Sequence, residues 1–267
     1  MDPTTRTQDT RRSDGLALSV LGGCRLTSSG VPVALPANAQ RLLGLLALGG
    51  TGRRRDILAG QLWIDVPQAR AQANLRTAVW RVRQRLPGVV GCSRESVWLD
   101  PAVTVDYQVM TSLAERLLHH DLPEDELRQV PFALLARDLL PGWDEEWLLI
   151  ERERHRQLRM HALEALSSRL TDVGEYGLAI DCAYAAIGIE PLWESATHAL
   201  LRACVAEGNR AEALRHFRRF QHLLADETGL RPSPRLMDVI GTVIADAERP
   251  ILRARRTSYD ARRRPAS

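Results

Sequence analysis

The chain contains no lysine and only four cysteines, and each shortage limits what the protein can be. All 36 basic residues among the 267 are arginine. Uniform use of one basic residue points to a GC-rich coding sequence, so no single arginine is evidence of a site. The spacing of the cysteines argues against a structural zinc site or a disulfide framework and favours a reducing, cytoplasmic compartment. They are scattered without a C-x-x-C pair, at Cys24, Cys92, Cys182 and Cys204.

Apolar runs and enzyme motifs are also missing. No apolar run approaches the roughly 20 residues of a membrane helix, and residues 1–14 hold no apolar signal core. The chain lacks the motifs G-x-x-x-x-G-K-[ST], G-x-G-x-x-G, H-E-x-x-H and G-x-S-x-G, and its seven histidines have no clean ligand spacing. We therefore expect a protein that is not an enzyme and that uses neither a metal nor a cofactor.

Acidic residues are scarce at the start of the chain and abundant later. Residues 1–100 carry 14 arginines against seven acidic residues, whereas residues 101–250 carry 16 arginines against 25 acidic residues. A basic region can neutralise phosphates and an acidic region is repelled by them, so the asymmetry indicates two domains with different partners. Ordinary variation in surface charge is the alternative interpretation.

The first hundred residues predict short strands, three helices and a terminal hairpin. Turns at Gly22-Gly23 and Ser29-Gly30 separate the strands, and Pro87 with Gly88 ends the third helix. This order is typical of a winged helix-turn-helix. The predicted elements are strands within 16–36, helices over 39–50, 53–63 and 69–86, and a hairpin over 89–100.

The predicted helix 69–86 has one apolar face and one basic face. No acidic residue occurs between residues 66 and 94, although six arginines do. A row of unpaired guanidinium groups repels itself unless an anion lies against it, and the major groove of DNA admits such a helix. A solvent-exposed face that uses arginine is the alternative. At about 100° per residue, the stripe expected to pack inward is Leu75, Ala78, Val79, Val82 and Leu86.

The segment TAVWRVRQRL at residues 77–86 resembles the end of the recognition helix in winged helices of the OmpR and PhoB type. The resemblance implies that Thr77 and Arg81, together with Arg76, contact base edges. It implies that Trp80 and Arg83 contact phosphates.

The predicted hairpin and the start of the second helix complete the expected DNA-binding set. The resemblance implies that Arg94, at the hairpin tip, enters the minor groove. Arginines 53–55 open the second helix and could bind a phosphate, helped by backbone N–H groups. The Gly-Tyr pair common in the return strand of such wings is replaced here by Ser96 and Val97. The DNA-binding residues expected are Arg53, Arg54, Arg70, Arg76, Thr77, Trp80, Arg81, Arg83 and Arg94.

Residues 101–247 predict helices almost without interruption and contain two offset copies. The offset of 34 residues is the period of tetratricopeptide repeats, in which glycines lie in turns and small residues lie where paired helices approach. A long helix over 144–170 is expected to form the first layer. Trp143, Trp147 and Trp193 are expected in packing rather than in a ligand site. The matched positions are Gly174, Ala179, Ala183 and Ala186 with Gly208, Ala213, Phe217 and Phe220.

Three segments of this region resemble the bacterial transcriptional activator domain. They are LLPGWDEEW at residues 139–147, IEPLWESATHALLRACVAEGNRAEAL at 189–214 and LLADETGLRPSPRL at 223–236. Pairing of this domain with an N-terminal winged helix is typical of SARP-type regulators, which activate antibiotic and other secondary-metabolite genes. The expected fold is therefore mainly α with small β, an N-terminal winged helix-turn-helix followed by an all-α tetratricopeptide-like helical repeat domain.

The resemblance also implies a division of the chain. No receiver, forkhead-associated or ATPase motif accompanies the two domains, so we expect a small regulator that stands alone. The expected segments are a disordered N-terminus over 1–14, an OmpR-type winged-helix domain over 15–102, a bacterial transcriptional activator domain over 105–247 and a basic, disordered tail over 248–267.

The resemblance finally implies partners. They are promoter double-stranded DNA, bound at direct repeats by a homodimer, and RNA polymerase holoenzyme, recruited through its sigma factor and other subunits at the nucleoid. The loop 64–68 is expected to face the polymerase, with Asp65 and Val66 as contact residues. Two alternatives stay open: a helical-repeat scaffold that binds a protein or peptide, and a repeat array whose concave face senses a ligand.

Overall fold

A computed structural model describes residues 15–49, 52–241 and 243 of the chain. Over these residues the chain is mainly helical with a small N-terminal β region, which confirms the expected fold class. The ends predicted to be disordered, 1–14 and 248–267, lie outside the described residues. The chain forms two compact units. The first unit comprises Met1–Leu113 and Arg137–His155, and the second unit comprises Ala114–Ala136 and Arg156–Ser267.

The first unit contains the strands and three complete helices. Proline precedes α1 and α3, and its fixed φ suits the extended residue from which each of these helices starts. The elements are β1 (Leu16–Ser19), β2 (Arg25–Ser28), β3 (Val31–Val33), α1 (Ala37–Ala47), β4 (Arg53–Arg54), α2 (Arg55–Leu62), α3 (Gln68–Arg85), β5 (Val90–Cys92), β6 (Ser96–Leu99) and β7 (Thr104–Val105). They are followed by α4 (Asp106–Leu118), which crosses the boundary between the units.

Two small sheets flank the three helices of the first unit. The four-stranded sheet has the order β3-β2-β1-β7, and β7 runs parallel to β1. The three-stranded sheet has the order β4-β6-β5, in which Arg53 pairs with Val97 and Arg54 pairs with Ser96. The structure differs from two of the predictions made from the sequence. Residues 53 and 54 were expected in a helix but form a strand, because their backbone completes the hairpin sheet. Residues 104 and 105 form a strand where a helical region was expected to begin.

The core of the first unit includes a segment distant in sequence. Leu140 N–H donates to Val20 at 2.8 Å, and Gly22 N–H donates to Asp138 at 2.8 Å. Trp143 packs so closely on α1 that a methyl group on Gly44 would lie 3.0 Å from its indole. Residues 137–155 therefore pack with the strands and α1, although the winged-helix domain was expected to end at residue 102.

The second unit is entirely helical over its described residues. α9 packs between α8 and α10, and residues 234–241 form a further helical segment. Its elements after α4 are α5 (Glu124–Leu127), α6 (Phe132–Leu135), α7 (Glu146–Asp172, which begins in the first unit), α8 (Tyr176–Ile189), α9 (Glu194–Glu207) and α10 (Arg210–Thr228).

The positions matched by the 34-residue offset have equivalent local structure. Gly174 and Gly208 both have left-handed φ values, 82° and 95°, at the turns after α7 and α9. Glycine is suited to this conformation because it lacks a Cβ. Ala179 and Ala213 are both fully buried near the start of the following helix. Small side chains at these two positions let the paired helices approach.

Candidate nucleic-acid interface

Helix α3 separates its apolar and basic faces as its periodicity predicts. Leu75 and Val82 are completely buried against the rest of the first unit. Thr77 and Arg81 are exposed, and Trp80 keeps 59% of its surface in solvent although it is a large aromatic residue. The Thr77 hydroxyl donates to the carbonyl of Ala73 at 3.0 Å. A surface with an exposed indole and guanidinium groups is therefore available to a partner.

The basic face of α3 has no acidic partners within the described part of the chain. Its five arginines lie more than 4.0 Å from every described carboxylate, so none forms an ion pair there. Arg83 instead donates to the sulfur of Cys92 at 3.3 Å, which holds it beside the hairpin. Without nearby carboxylates, the positive potential of this face is available to an external polyanion.

A basic cleft brings three of the expected residues together. It has a volume of about 620 Å³, and its walls come from the start of α2, from α3 and from the hairpin tip. Arg55 and Gln72 line it as well, although neither is among the expected residues. The backbone N–H of Arg55 donates to the carbonyl of Glu95 at 2.8 Å, and this bond joins Arg55 to the hairpin sheet. The cleft residues are Arg54, Arg55, Asp56, Gln72, Arg76, Arg94 and Glu95.

Arg54 is not a free cation in this cleft. Its guanidinium group donates to both carboxylate oxygens of Asp56, at 2.7 and 3.1 Å. Hydrogen bonding from Arg54 holds the pKa of Asp56 below its ordinary value. A phosphate would have to compete with this carboxylate for Arg54. The two residues are two positions apart at the start of a helix. This spacing in the sequence could have indicated the ion pair.

Arg53 lies apart from the cleft. It is half-buried, and its guanidinium group donates to the Gln61 side chain at 3.5 Å. Arg70, Thr77, Trp80, Arg81 and Arg83 are exposed on α3 but do not line the cleft. The structure therefore divides the expected DNA-binding residues into a cleft group, an α3 face and the separate Arg53.

The loop between α2 and α3 lies beside an acidic and apolar surface of the same unit. A cleft of about 780 Å³ is bounded by residues 61–66 and 144–150. Asp65 is exposed and Val66 is half-buried. Ile64, Leu149 and Ile150 each expose at least 60% of their surface. This surface thus combines carboxylates with accessible aliphatic groups.

A partly buried ion pair holds the two edges of this acidic cleft together. Arg41 on α1 donates to both oxygens of Glu145, at 2.5 and 2.7 Å, and to the carbonyl of Leu62 at 2.7 Å. Trp147 donates its indole N–H to Glu145 at 3.1 Å. Because a bidentate arginine fixes both distance and orientation, the end of α2 is held next to residues 144–147. The sequence of the first hundred residues does not predict that residues 144–147 contact the end of α2.

Two features of other site classes are absent from the described residues. No group of three or more histidine, cysteine or acidic side chains there could hold a metal ion. No helix in the same part of the chain is long and apolar enough to span a membrane.

Comparison with known proteins relates both halves of the chain to regulatory proteins. Residues 105–244 match the bacterial transcriptional activator domain. Over 250 residues, 85% of this chain, the sequence is 29% identical to the regulatory protein AfsR of Streptomyces coelicolor. The fold is similar to that of Mycobacterium tuberculosis EmbR, solved with a low-affinity phosphopeptide, with a TM-score of 0.69 over 86% of this chain at 20% identity. The chain spans about a quarter of AfsR (24%) and 65% of the EmbR chain.

Proposed function

The chain belongs to the family of the bacterial transcriptional activator domain, and on that premise we propose that it is a DNA-binding activator that places α3 in the major groove. The single observation that carries the proposal is the exposed, acid-free face of α3. Its arginines are unpaired among the described residues while its apolar stripe is buried. A duplex supplies the phosphates and the base edges that such a face can bind.

The residues of this face divide by the part of DNA that they would contact. Arg81 and Arg76 can each form a bidentate pair with guanine, and Thr77 can contact a base edge or a thymine methyl group. Phosphate contacts hold the helix in register without reading sequence. On this face the residues proposed for phosphates are Arg70, Trp80 and Arg83. Arg53 and Arg54, on β4 and outside this face, are proposed for phosphates as well.

The hairpin tip supplies the second contact. Arg94 is exposed between β5 and β6 and lines the same cleft as Arg76 and Arg54. An arginine carried on a hairpin beside the recognition helix can enter the adjacent minor groove while α3 occupies the major groove. We assign Arg94 to this contact.

The targets and partners follow from the type of regulator. We propose that a homodimer binds direct repeats in promoters of secondary-metabolite genes, antibiotic genes included, and that it recruits RNA polymerase holoenzyme. Asp65 and Val66 would contact the polymerase, since the acidic and apolar surface beside them suits a basic, amphipathic element of another protein. A protein with this activity works at the nucleoid.

Two substitutions on α3 test the DNA-binding mode. Arg81→Ala should cost about 1–3 kcal/mol of binding free energy on the specific promoter and remove the preference for it. Arg83→Ala should weaken specific and unrelated DNA alike and reduce the slope of log K against log salt by about 1. Fluorescence anisotropy of a labelled promoter duplex at two salt concentrations measures both effects.

The matched control is Arg25→Ala on β2, which removes one exposed arginine of the same unit from outside the proposed contacts. It should leave promoter affinity within about twofold. Unaltered affinity of both α3 variants for specific DNA would show that α3 is not the reading helix. If the folded chain binds no DNA duplex in the same anisotropy measurement, the helical-repeat scaffold is favoured instead.

A further inference from the structure

A groove in the second unit has no part in the proposed DNA interface. It has a volume of about 310 Å³ and is lined by residues of α8, α9 and α10. Leu200 and Phe220 belong to the buried core of the unit and form its apolar floor. Ile187, which is half-buried, and Leu223 extend the apolar lining. Because the floor is part of the packed core, the groove is formed before any ligand arrives.

A polar pair lies at one end of the groove. The Tyr184 hydroxyl is 2.8 Å from Nε2 of His216, and both side chains line the groove. Oε1 of Glu212 is 2.9 Å from the same nitrogen, and Glu212 also pairs with Arg215. Burial first, then Arg215 and Arg219, lower the pKa of His216. The imidazole lies between the Tyr184 hydroxyl and the Glu212 carboxylate, and this contact holds the tyrosine hydroxyl at the groove.

The charge in the groove is positive and has no counterion among the described residues that line it. Arg219 lines it, and no acidic residue is among its described lining residues. Arg219 also forms no ion pair within the described part of the chain. The surrounding region of the sequence is acidic, with 25 acidic residues against 16 arginines over 101–250. A lone guanidinium group over an apolar floor is thus a local exception in an acidic unit.

We propose that this groove binds a small amphipathic organic anion, an aromatic or branched aliphatic carboxylate. Its apolar body would lie on Leu200 and Phe220, and its carboxylate would bind Arg219 through charge-assisted hydrogen bonds. A mostly apolar concavity of this size with a few converging polar groups is typical of small-molecule sites, whose volumes start at about 300 Å³. The site goes beyond the proposed DNA-binding function and does not depend on it.

A charged and an uncharged probe with the same ring system test the proposal. The full chain is titrated by calorimetry with 2-naphthoate and with 2-naphthalenemethanol, which has the same ring system and no charge. We expect 2-naphthoate to bind at least about tenfold more tightly, since only its carboxylate can form a charge-assisted hydrogen bond with Arg219. Equal affinity of the two probes would overturn the proposed role of Arg219.

Two matched pairs of variants locate the binding. Arg219→Gln should reduce the affinity for 2-naphthoate about tenfold and leave that for the alcohol unchanged. Arg218→Gln changes the exposed neighbour on α10, which does not line the groove, and should change neither affinity. Gly188→Leu should abolish binding by filling the groove, because a Cβ at residue 188 meets no atom within 4 Å.

Gly177→Leu is the control for the filled groove. Gly177 lies in the same helix, a Cβ there also meets no atom within 4 Å, and it does not line the groove. Binding of 2-naphthoate by Gly177→Leu but not by Gly188→Leu would support the site. Unchanged binding of 2-naphthoate by both Arg219→Gln and Gly188→Leu would place the probe elsewhere and overturn the proposal. The absence of any affinity of the full chain for 2-naphthoate would overturn it as well.

Discussion

Gly91 shows how a single residue shapes the proposed wing. In β5 it pairs with Trp98 of β6, and an ideal Cβ at residue 91 would lie 2.3 Å from the indole ring. Glycine at residue 91 therefore leaves the space that the indole occupies. The indole lies on the strand pair that carries Arg94, so the fit bears on the proposed DNA contact as well as on stability.

Replacement of this glycine should therefore destabilise the first unit. Gly91→Ala should lower the free energy of unfolding by about 1–3 kcal/mol, because the displaced indole forces neighbouring side chains to shift. Urea unfolding followed by circular dichroism measures the change. Gly60→Ala is the matched control: residue 60 lies in α2 with open space around it, and alanine there should stabilise by about 0.5–1 kcal/mol. A Gly91→Ala protein as stable as the unaltered chain would contradict the close fit.

At the scale of elements, the helices of the second unit carry two histidines with the same electrostatic tendency. Burial is the first cause that lowers the pKa of His198, followed by Arg235 and Arg202. Burial likewise lowers the pKa of His216, ahead of its two neighbouring arginines. Both imidazoles, one in α9 and one in α10, therefore bind a proton less readily than an exposed histidine does.

Stability of the second unit should therefore decrease as the pH falls through the ordinary histidine range. The unfolded chain binds protons at these residues below about pH 6.5, whereas the folded chain resists protonation until a lower pH. Thermal melts between pH 7.5 and 5.5 should show a falling midpoint. The double variant His198→Gln/His216→Gln should flatten the decrease, and His222→Gln, at an exposed site on α10, should not. An equal decrease in both variants would show that other groups cause it.

The order of elements in the first unit was predicted better than their pairing. The helix expected over 69–86 is observed over Gln68–Arg85, because its apolar stripe has the helical period. By contrast, the pairing of Arg53 with Val97 joins residues far apart in sequence, and a two-residue strand has no periodicity to detect.

At the scale of the whole molecule, the matched regions confirm the resemblance to SARP-type regulators. The activator-domain match begins at residue 105 and ends at 244, while the compact units assign residues 137–155 to the first unit. The domain limits 15–102 and 105–247 therefore stay a prediction, because the family match and the packing divide the chain at different residues. The physical units follow packing, and they interleave along the chain.

Activation and DNA binding should be separable in the intact protein. Asp65→Ala combined with Val66→Ala should lower transcript yield in vitro with RNA polymerase holoenzyme by about tenfold, the effect of losing roughly 1.4 kcal/mol of interface energy. Promoter affinity should stay unchanged, since neither residue lies on the face of α3 that we propose binds DNA. Asp121→Ala, which removes an exposed carboxylate of the second unit, should affect neither measurement. Full activation by the double variant would remove this loop from the polymerase contact.

Local pattern was enough to predict helix α3, its buried and exposed faces, and the equivalent turns at Gly174 and Gly208. These features depend on the local period of apolar residues and on the backbone freedom of glycine, both of which are visible in a linear chain. Folding in three dimensions is what packs Trp143 on Gly44, joins Glu145 to the end of α2 through Arg41, and sets Arg219 at an apolar groove with no ion pair to a described carboxylate. Those arrangements depend on which distant segments pack together, and local periodicity does not contain that information.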